Sequence, residues 1–347
     1  MRKIKWGILG AGGIADRRTL PGMEFAENAE IYAVMEVFPE LAEKLREKYN
    51  AKKAYTDADS LLADPEVEAV YIASPVVYHA EQVRKAIAAN KHILVEKPIA
   101  ATAAESEELC KMAADKGLLM ATGLMMRFNT YHQQLKKMIA DGVFGQLVSC
   151  HAQFTCWYPD MPGNWRQSKA TAGGGAMTDM GIHCLDLVQY ITGSYIKKVG
   201  GLSETLTFQY DVEDSCSALF QLENGCFGTV DANFNIPDNA VKWKLEFYGT
   251  KGSANCVGTI GQMDGGEVTV ILSDDSIGYN ATQDRNEEGG MTLSGELGNI
   301  YGREIESFGN SIINGTALEV PATDGAKVQK VIESIYESAA TGKFITL

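Results

Sequence analysis

The chain has 347 residues, 45% of them hydrophobic and 22% charged, and its formal net charge at pH 7 is −14. This length exceeds one typical core, so we expect two domains. The acidic balance, without any run of Lys or Arg, argues against binding to a nucleic-acid backbone. No apolar run approaches the length of a membrane span, and the first strand begins too close to Met1 for a signal peptide, so we expect a cytoplasmic protein.

The seven cysteines are an odd number and form no C-x-x-C pair. Their spacing fits neither a disulfide framework nor a zinc site. Reduced thiols are therefore expected, as is usual in a cytosol.

The first predicted strand runs directly into Gly10-x-Gly12-x-x-Ala15, the dinucleotide fingerprint G-x-G-x-x-G/A. The first glycine allows a tight turn, the second lets the backbone approach a pyrophosphate, and the alanine lets the helix pack closely on the strand. The helix start, with Gly13 and Ile14, offers unpaired N–H groups to the phosphates. The alternative interpretation is an ordinary glycine turn.

Strands and helices alternate over the first 120 residues. We predict strands at 31–35, 69–73, 92–95 and 118–122, and helices at 39–49, 80–89 and 102–116. Thr102, with Glu105 three residues later, forms a capping box for the last of these helices. Such alternation indicates a parallel sheet with helices on both faces, and residues 1–122 are assigned to this Rossmann domain.

The pattern changes after Gly123. We predict helices at 131–141 and 325–341, longer alternating strands at 149–154, 216–222, 228–234, 242–248 and 267–272, and loops at 258–266 and 287–290. This is typical of a mostly antiparallel sheet. The fold class is therefore α/β: a Rossmann domain followed by an α+β domain, residues 123–347, with a large, open sheet. The last helix is expected to pack back on the first domain.

Two charged residues stand at the carboxyl ends of predicted parallel strands, where ligands of open α/β sheets bind. Glu36 follows the second strand, and no basic residue follows it directly. A carboxylate there accepts hydrogen bonds from ribose hydroxyls and repels a 2′-phosphate, which favours NAD over NADP. Lys97 lies between Glu96 and Pro98, and proline stiffens this turn. The alternatives are a solvated Glu36 and a surface Lys97 paired with Glu96.

The segment from Gly173 to Leu187 combines three glycines with a predicted helix that carries Asp179 and His183. These two residues are four apart and share a helix face. Histidine suits proton transfer from a hydroxyl near neutral pH, and Asp179 could fix its tautomer or bind substrate. A metal site with Asp186, or a helix cap beside a core histidine, are the alternatives.

Aromatic side chains precede the glycine triplet. Trp157, Tyr158 and Trp165 lie in this stretch, and Arg166 is adjacent. Aromatic faces with an arginine suit a sugar ring, although core packing explains aromatic residues equally well.

Taken in order, these motifs resemble the Gfo/Idh/MocA oxidoreductases over the whole chain. The matching segments are Gly10-x-Gly12-x-x-Ala15, Glu96-Lys97-Pro98, Gly173-Gly174-Gly175 and Asp179-x-x-x-His183. The resemblance implies that Lys97, Asp179 and His183 are the catalytic group and that the second domain's sheet builds homodimers or homotetramers.

The resemblance also places the loop Ser74-Pro75-Val76-Val77-Tyr78-His79 beside the cofactor and Arg127 in the pocket. The asparagine usual in that loop is Val76 here, which puts cofactor contacts at this position in doubt.

The resemblance implies an enzyme that transfers a hydride between nicotinamide and a secondary alcohol of a sugar, glycoside or cyclitol. An NAD-dependent glycosidase and a non-catalytic, cofactor-sensing binding protein are the alternatives, because fold alone does not choose among them.

Overall fold

The computed structural model describes residues 2–273 and 290–347. The first sheet has six parallel strands in the order β3-β2-β1-β4-β5-β6, which is the Rossmann order. They are β1 (Ile4–Leu9), β2 (Ala29–Met35), β3 (Lys53–Tyr55), β4 (Ala69–Ile72), β5 (His92–Glu96) and β6 (Met120–Gly123). The helices are α1 (Leu20–Met23), α2 (Pro39–Lys48), α3 (Ala58–Leu62), α4 (His79–Ala88) and α5 (Ala103–Asp115), with a π-helical turn Ala15–Thr19 and a 3-10 turn Val76–Tyr78. The predicted parallel sheet is confirmed.

Helices cover both faces of this sheet, so its central strands are apolar throughout. All four residues of β4 are buried, as expected for a parallel strand that faces the core on both sides. One half of the predicted capping box of α5 is present, because the Glu105 amide donates to Thr102 Oγ1 over 3.2 Å. The Glu105 carboxylate accepts instead from Arg84 Nη2 over 3.2 Å.

The second sheet contains, within the described residues, nine strands in the order β14-β13-β12-β11-β7-β10-β9-β8-β15. They are β7 (Leu147–Thr155), β8 (Ile196–Glu204), β9 (Ser215–Leu222), β10 (Phe227–Asn233), β11 (Lys244–Gly249), β12 (Gly252–Val257), β13 (Glu267–Leu272), β14 (Met291–Thr292) and β15 (Ile345–Thr346). The β7–β10 pair is parallel and the other pairs are antiparallel. The expectation of a mostly antiparallel sheet is confirmed.

The remaining helices lie in the second half of the chain. They are α6 (Thr130–Ala140), α7 (Lys169–Ala172), α8 (Ile182–Thr192), α9 (Ile300–Asn314) and α10 (Ala322–Thr341), with a π-helical turn Met177–Gly181 and 3-10 turns Met125–Phe128, Trp165–Gln167 and Asp238–Ala240. None of the helices in the described part of the chain has the length and apolar character needed to cross a membrane.

One face of the second sheet packs on α8 and α10, and alternate side chains point to the other face. In β9, Ala218 and Phe220 are buried, whereas Leu219 between them is exposed. Phe227 of β10 and Ile271 of β13 are exposed on the same face as Leu219, with strands β7, β11 and β12 between them. This second face, here called the open face, is not covered by any helix in the described part of the chain.

Two helices of the second half pack against the first sheet. In α9, Phe308 meets Trp6 of β1 with ring centroids 5.5 Å apart. In α10, Gln329 Nε2 donates to the Ala100 carbonyl over 2.8 Å and Gln329 Oε1 accepts from Ser106 Oγ over 2.7 Å. The two halves of the chain therefore share an extensive contact.

Some elements were not predicted from the sequence. Strand β8 has two lysines and two glycines in its first six residues, which interrupt the apolar alternation. Residues 258–266 form a loop between β12 and β13, as predicted, whereas positions 287–289 of the other predicted loop lie outside the described residues.

Candidate active site

The glycine loop after β1 packs on the loop after β4. Gly10 has a φ of +73°, and a Cβ at this position would lie 2.6 Å from the Ser74 nitrogen, so no larger residue fits. Gly13, with a φ of +58°, faces open space. The Gly12 amide donates to Glu36 Oε1 over 2.6 Å. The predicted loop, Glu36 and Ser74 thus meet at the carboxyl edge of the first sheet.

His79 ties the loop after β4 to the loop after β5. Its Nδ1 lies 2.8 Å from the Pro98 carbonyl and its Nε2 lies 2.7 Å from the Ser74 carbonyl. The ring is buried, and burial lowers the pKa of His79 despite the two carbonyl partners. Both ring nitrogens are engaged, so His79 aligns Ser74-Pro75 with the turn that carries Lys97.

Lys97 reaches from the end of β5 to the second half of the chain. Its Nζ donates to Asp179 Oδ1 over 2.6 Å and to the Asp179 carbonyl over 2.7 Å. The side chain of Lys97 is 13% exposed and that of Asp179 is 31% exposed. The lysine pairs with Asp179 and not with Glu96, so the alternative of a surface ion pair is wrong.

Two cations keep Asp179 ionised. Burial alone would raise the pKa of its carboxyl, but Lys97 and Arg166 outweigh that effect and hold the pKa at about 2. Arg166 Nε lies 4.0 Å from the same Oδ1. The carboxylate is therefore ionised at neutral pH.

His183 lies beside this pair and remains neutral. Burial and the Lys97 cation lower its pKa to about 3, against the opposing effect of Asp179. Its Nδ1 is fully buried without a hydrogen-bond partner among the described residues. Its ring packs edge-on against Phe154, with centroids 6.3 Å apart. The imidazole is therefore uncharged at neutral pH.

Glu96 lies behind the lysine and faces the first sheet. Its Oε1 accepts from Tyr71 Oη over 2.5 Å, and Tyr71 Oη accepts from Thr19 Oγ1 over 2.9 Å. Burial raises the pKa of Glu96, although Tyr71 and Lys97 oppose the change. This carboxyl therefore supports the turn before Lys97 from inside the sheet.

Arg127 lies in a buried ion cluster and not with the three predicted catalytic residues. It is 4% exposed, its Nη2 lies 2.5 Å from Asp186 Oδ1, and its Nη1 lies 3.0 Å from Asp324 Oδ2. The same contacts occupy Asp186, so a metal site of Asp179, His183 and Asp186 does not fit this geometry.

The predicted aromatic residues divide into two places. The Arg166 guanidinium stacks on Trp165, with its Cζ 4.3 Å from the ring centroid, and Arg166 Nε lies 4.0 Å from Asp179 Oδ1. Trp157 is exposed and packs on Phe208, with centroids 5.2 Å apart. Arg166 thus connects Trp165 to the ionised pair, whereas the ring contact of Trp157 is with Phe208.

Sequence reasoning missed Glu213, which lies between β8 and β9. Its carboxylate accepts from the Gly175 amide over 2.7 Å and from the Met177 amide over 2.9 Å. A glutamate distant in sequence thus holds the start of the segment that carries Asp179 and His183. No local pattern pointed to it, because the contact is between parts of the chain 38 residues apart.

A Rossmann sheet with this glycine loop and an adjacent charged cleft defines an oxidoreductase with a dinucleotide-binding domain. Residues 4–124 match the model of the oxidoreductase family with an NAD-binding Rossmann fold, and residues 132–255 match the GFO/IDH/MocA C-terminal domain. The chain belongs to the GFO/IDH/MocA family, which confirms the resemblance seen in the sequence.

Several characterised proteins are similar over much of their length. Mouse trans-1,2-dihydrobenzene-1,2-diol dehydrogenase is 31% identical over 72% of this chain and 74% of its own. The NADP-dependent D-xylose 1-dehydrogenase 2 of Haloferax volcanii is 25% identical over 99% and 100% of the two chains. A solved structure of levoglucosan dehydrogenase with NADH and levoglucosan superposes with a TM-score of 0.88 at 25% identity, covering 99% of each chain.

The low pKa of His183 predicts a measurable effect on stability. The unfolded chain binds a proton at this residue near pH 6.5 and the folded protein only near pH 3, so stability is full above pH 6.5 and is lost as the pH falls towards 3. Between pH 7 and pH 5 this group contributes about 2 kcal/mol of that loss. His183→Gln should therefore show a smaller pH-dependent loss than the wild type in urea unfolding at both pH values. Equal losses in the two proteins would contradict the assignment.

Proposed function

We propose that the protein is an NAD-dependent oxidoreductase that transfers a hydride between nicotinamide and a secondary alcohol of a sugar, glycoside or cyclitol. The observation that carries this proposal is the meeting of an ammonium, a carboxylate and a neutral imidazole at the carboxyl edge of the Rossmann sheet. The names of the D-xylose and levoglucosan enzymes support a carbohydrate substrate. A screen of NAD reduction over hexoses, glycosides and inositols tests the proposal directly.

The glycine loop fits a dinucleotide. Gly13 faces open space, the helix that follows presents its amino end there, and Glu36 lies at the same loop through the Gly12 amide. We assign cofactor binding to Gly10, Gly12, Gly13, Ile14, Glu36, Ser74, Pro75, His79, Glu96 and Lys97, with residues 1–122 as the cofactor domain. When bound, the nicotinamide supplies the hydride acceptor.

The second unit, residues 123–347, is assigned to substrate binding and oligomerisation. Asp179, His183, Trp165 and Arg166 line the cleft beside Lys97, whereas Trp157 and Arg127 are more distant candidates for substrate contacts. The buried ion pairs of Arg127 favour a role in holding this unit together.

Oxidation of an alcohol requires that a proton leave the hydroxyl as the hydride departs. We assign proton acceptance to the neutral His183 and donation to the same oxygen to the Lys97 ammonium, which stabilises developing negative charge. Asp179 holds the Lys97 side chain in place by accepting two hydrogen bonds from it. The alternative makes Lys97 the base, which would require it to lose its proton beside an ionised carboxylate.

Loss of either proposed group should slow turnover. Lys97→Ala and His183→Ala are each expected to lower kcat by ~10²–10⁴-fold, the usual contribution of acid–base catalysis, with little change in NADH affinity. Asp179→Asn should lower kcat by a smaller factor than either of these substitutions. The matched control is Lys111→Ala, since Lys111 is exposed on α5. Near-normal turnover of His183→Ala on a verified substrate would refute the mechanism.

The two assignments of the base differ in their pH profiles. If His183 is the base, His183→Asn loses the low-pH limb of kcat/KM and Lys97→Arg keeps it. The opposite pattern would identify Lys97 as the base.

We predict tighter binding of NAD(H) than of NADP(H). The Glu36 carboxylate lies at the glycine loop and would repel a 2′-phosphate, and Val37 and Phe38 follow it without a basic side chain. Nicotinamide fluorescence titrations of the wild type and of Glu36→Ala would measure the preference, which should narrow in the variant. Equal or tighter NADPH binding by the wild type would reject the prediction.

We also propose that the open face is covered by a second copy of this chain. Leu219, Phe227 and Ile271 are exposed there. Burying these apolar side chains against a partner removes them from water and is therefore favourable. Homodimers or homotetramers built through this face are the resulting assemblies.

Light scattering should therefore give a mass two or four times 37.6 kDa. Leu219→Glu combined with Phe227→Glu should shift the protein towards the monomer, because charges would be buried in the contact. Phe25→Glu serves as the control, since Phe25 is exposed on the first domain, away from the second sheet. A wild-type protein of monomer mass alone would reject the proposal.

A further inference from the structure

Glu213 is a nearly buried acid, and none of its hydrogen-bond donors among the described residues is a cation. It is 9% exposed, and its carboxylate accepts three hydrogen bonds. The donors are the amides of Gly175 and Met177, at 2.7 and 2.9 Å, and Tyr336 Oη of α10, at 2.7 Å. Three donors converge on one carboxylate, so this contact is a specific one.

The backbone of Glu213 also contacts the segment that begins at Gly175. The Ala176 amide donates to the Glu213 carbonyl over 3.1 Å. A Cβ on Gly175 would lie 1.9 Å from that carbonyl oxygen, so only glycine allows the approach. The third glycine of the triplet is thus explained by a contact with Glu213.

The segment held in this way leads directly to Asp179. The Asp179 amide donates to the Gly175 carbonyl over 2.9 Å, and Thr178 Oγ1 lies 2.9 Å from Tyr336 Oη. Asp179 meets Lys97 through its carboxylate and also through its carbonyl oxygen. The position of the backbone at Asp179 therefore decides whether both contacts with Lys97 form.

We propose that Glu213 is a positioning residue for the reaction: its carboxylate fixes the first turn of the helix and so holds Asp179 against Lys97 and His183 in place. The kinetic part of this inference rests on the proposed function. The carboxylate can accept from both amides at once, whereas a glutamine amide has one accepting oxygen and turns an NH₂ group towards a donor. A misplacement of about 1 Å in such a site costs on the order of 10²-fold in rate.

Glu213→Gln tests the proposal, because it preserves size and removes the second accepting oxygen. We expect kcat on a sugar found in the screen to fall by about 10–100-fold, with KM and the Kd for NADH within about twofold of the wild type. Hydrogen exchange followed by mass spectrometry should accelerate in peptides covering residues 173–180 and remain unchanged in the first sheet. Tyr336→Phe, which removes one donor only, should give a smaller fall in kcat.

Glu223→Gln is the matched control, because Glu223 is exposed in the turn after β9. A kcat of Glu213→Gln within twofold of the wild type would overturn the proposal. So would a fall in kcat accompanied by weaker NADH binding and faster exchange throughout the protein, since that pattern indicates general destabilisation. If the wild type oxidises no sugar, the proposed function fails, and unchanged exchange at residues 173–180 would then separately overturn the role of Glu213.

Discussion

The contact between Lys97 and Asp179 joins the first sheet to the helical segment of the second half that carries the other two candidate catalytic residues. The lysine belongs to the end of a buried parallel strand and the aspartate to a helix of the second half, so their approach at 2.6 Å requires both halves to be packed together. Helices α9 and α10 hold the two halves together, because α9 packs on β1 and α10 binds the chain segment after β5. A cleft assembled in this way exists only in the complete fold.

The same lysine has opposite effects on its two titratable neighbours. It favours the charged form of Asp179, together with Arg166, and so lowers that pKa against the effect of burial. It disfavours the charged form of His183 and so adds to the larger lowering of that pKa by burial. At neutral pH the cleft therefore holds an ammonium, a carboxylate and a neutral ring nitrogen. One cation therefore acts in the same direction on both pKa values, although it stabilises the charged form of one neighbour and the neutral form of the other.

Local patterns in the sequence predicted the parts of this arrangement that depend on neighbouring residues. Gly10 precedes a helix and follows a strand, and the structure gives it the positive φ that such a turn needs. Contacts between residues distant in the chain leave no such local pattern in the sequence. Helix α9 was missed because Gly302 and Gly309 weaken a helical signal, yet these glycines let the helix approach Gly22 and Asn28 closely. Arg127 was placed in the pocket, whereas its partners Asp186 and Asp324 are distant in sequence.

The helix that carries His183 is held on both sides of that residue by buried charges. Glu213 accepts from the backbone at its start, and Asp186, one turn beyond His183, is paired with Arg127. Breaking one partner of a buried pair is costly, so the helix has little freedom to slide or rotate. His183 contributes no hydrogen bond of its own to hold its ring within the described residues. Its orientation must therefore come from these two anchors and from packing against Phe154.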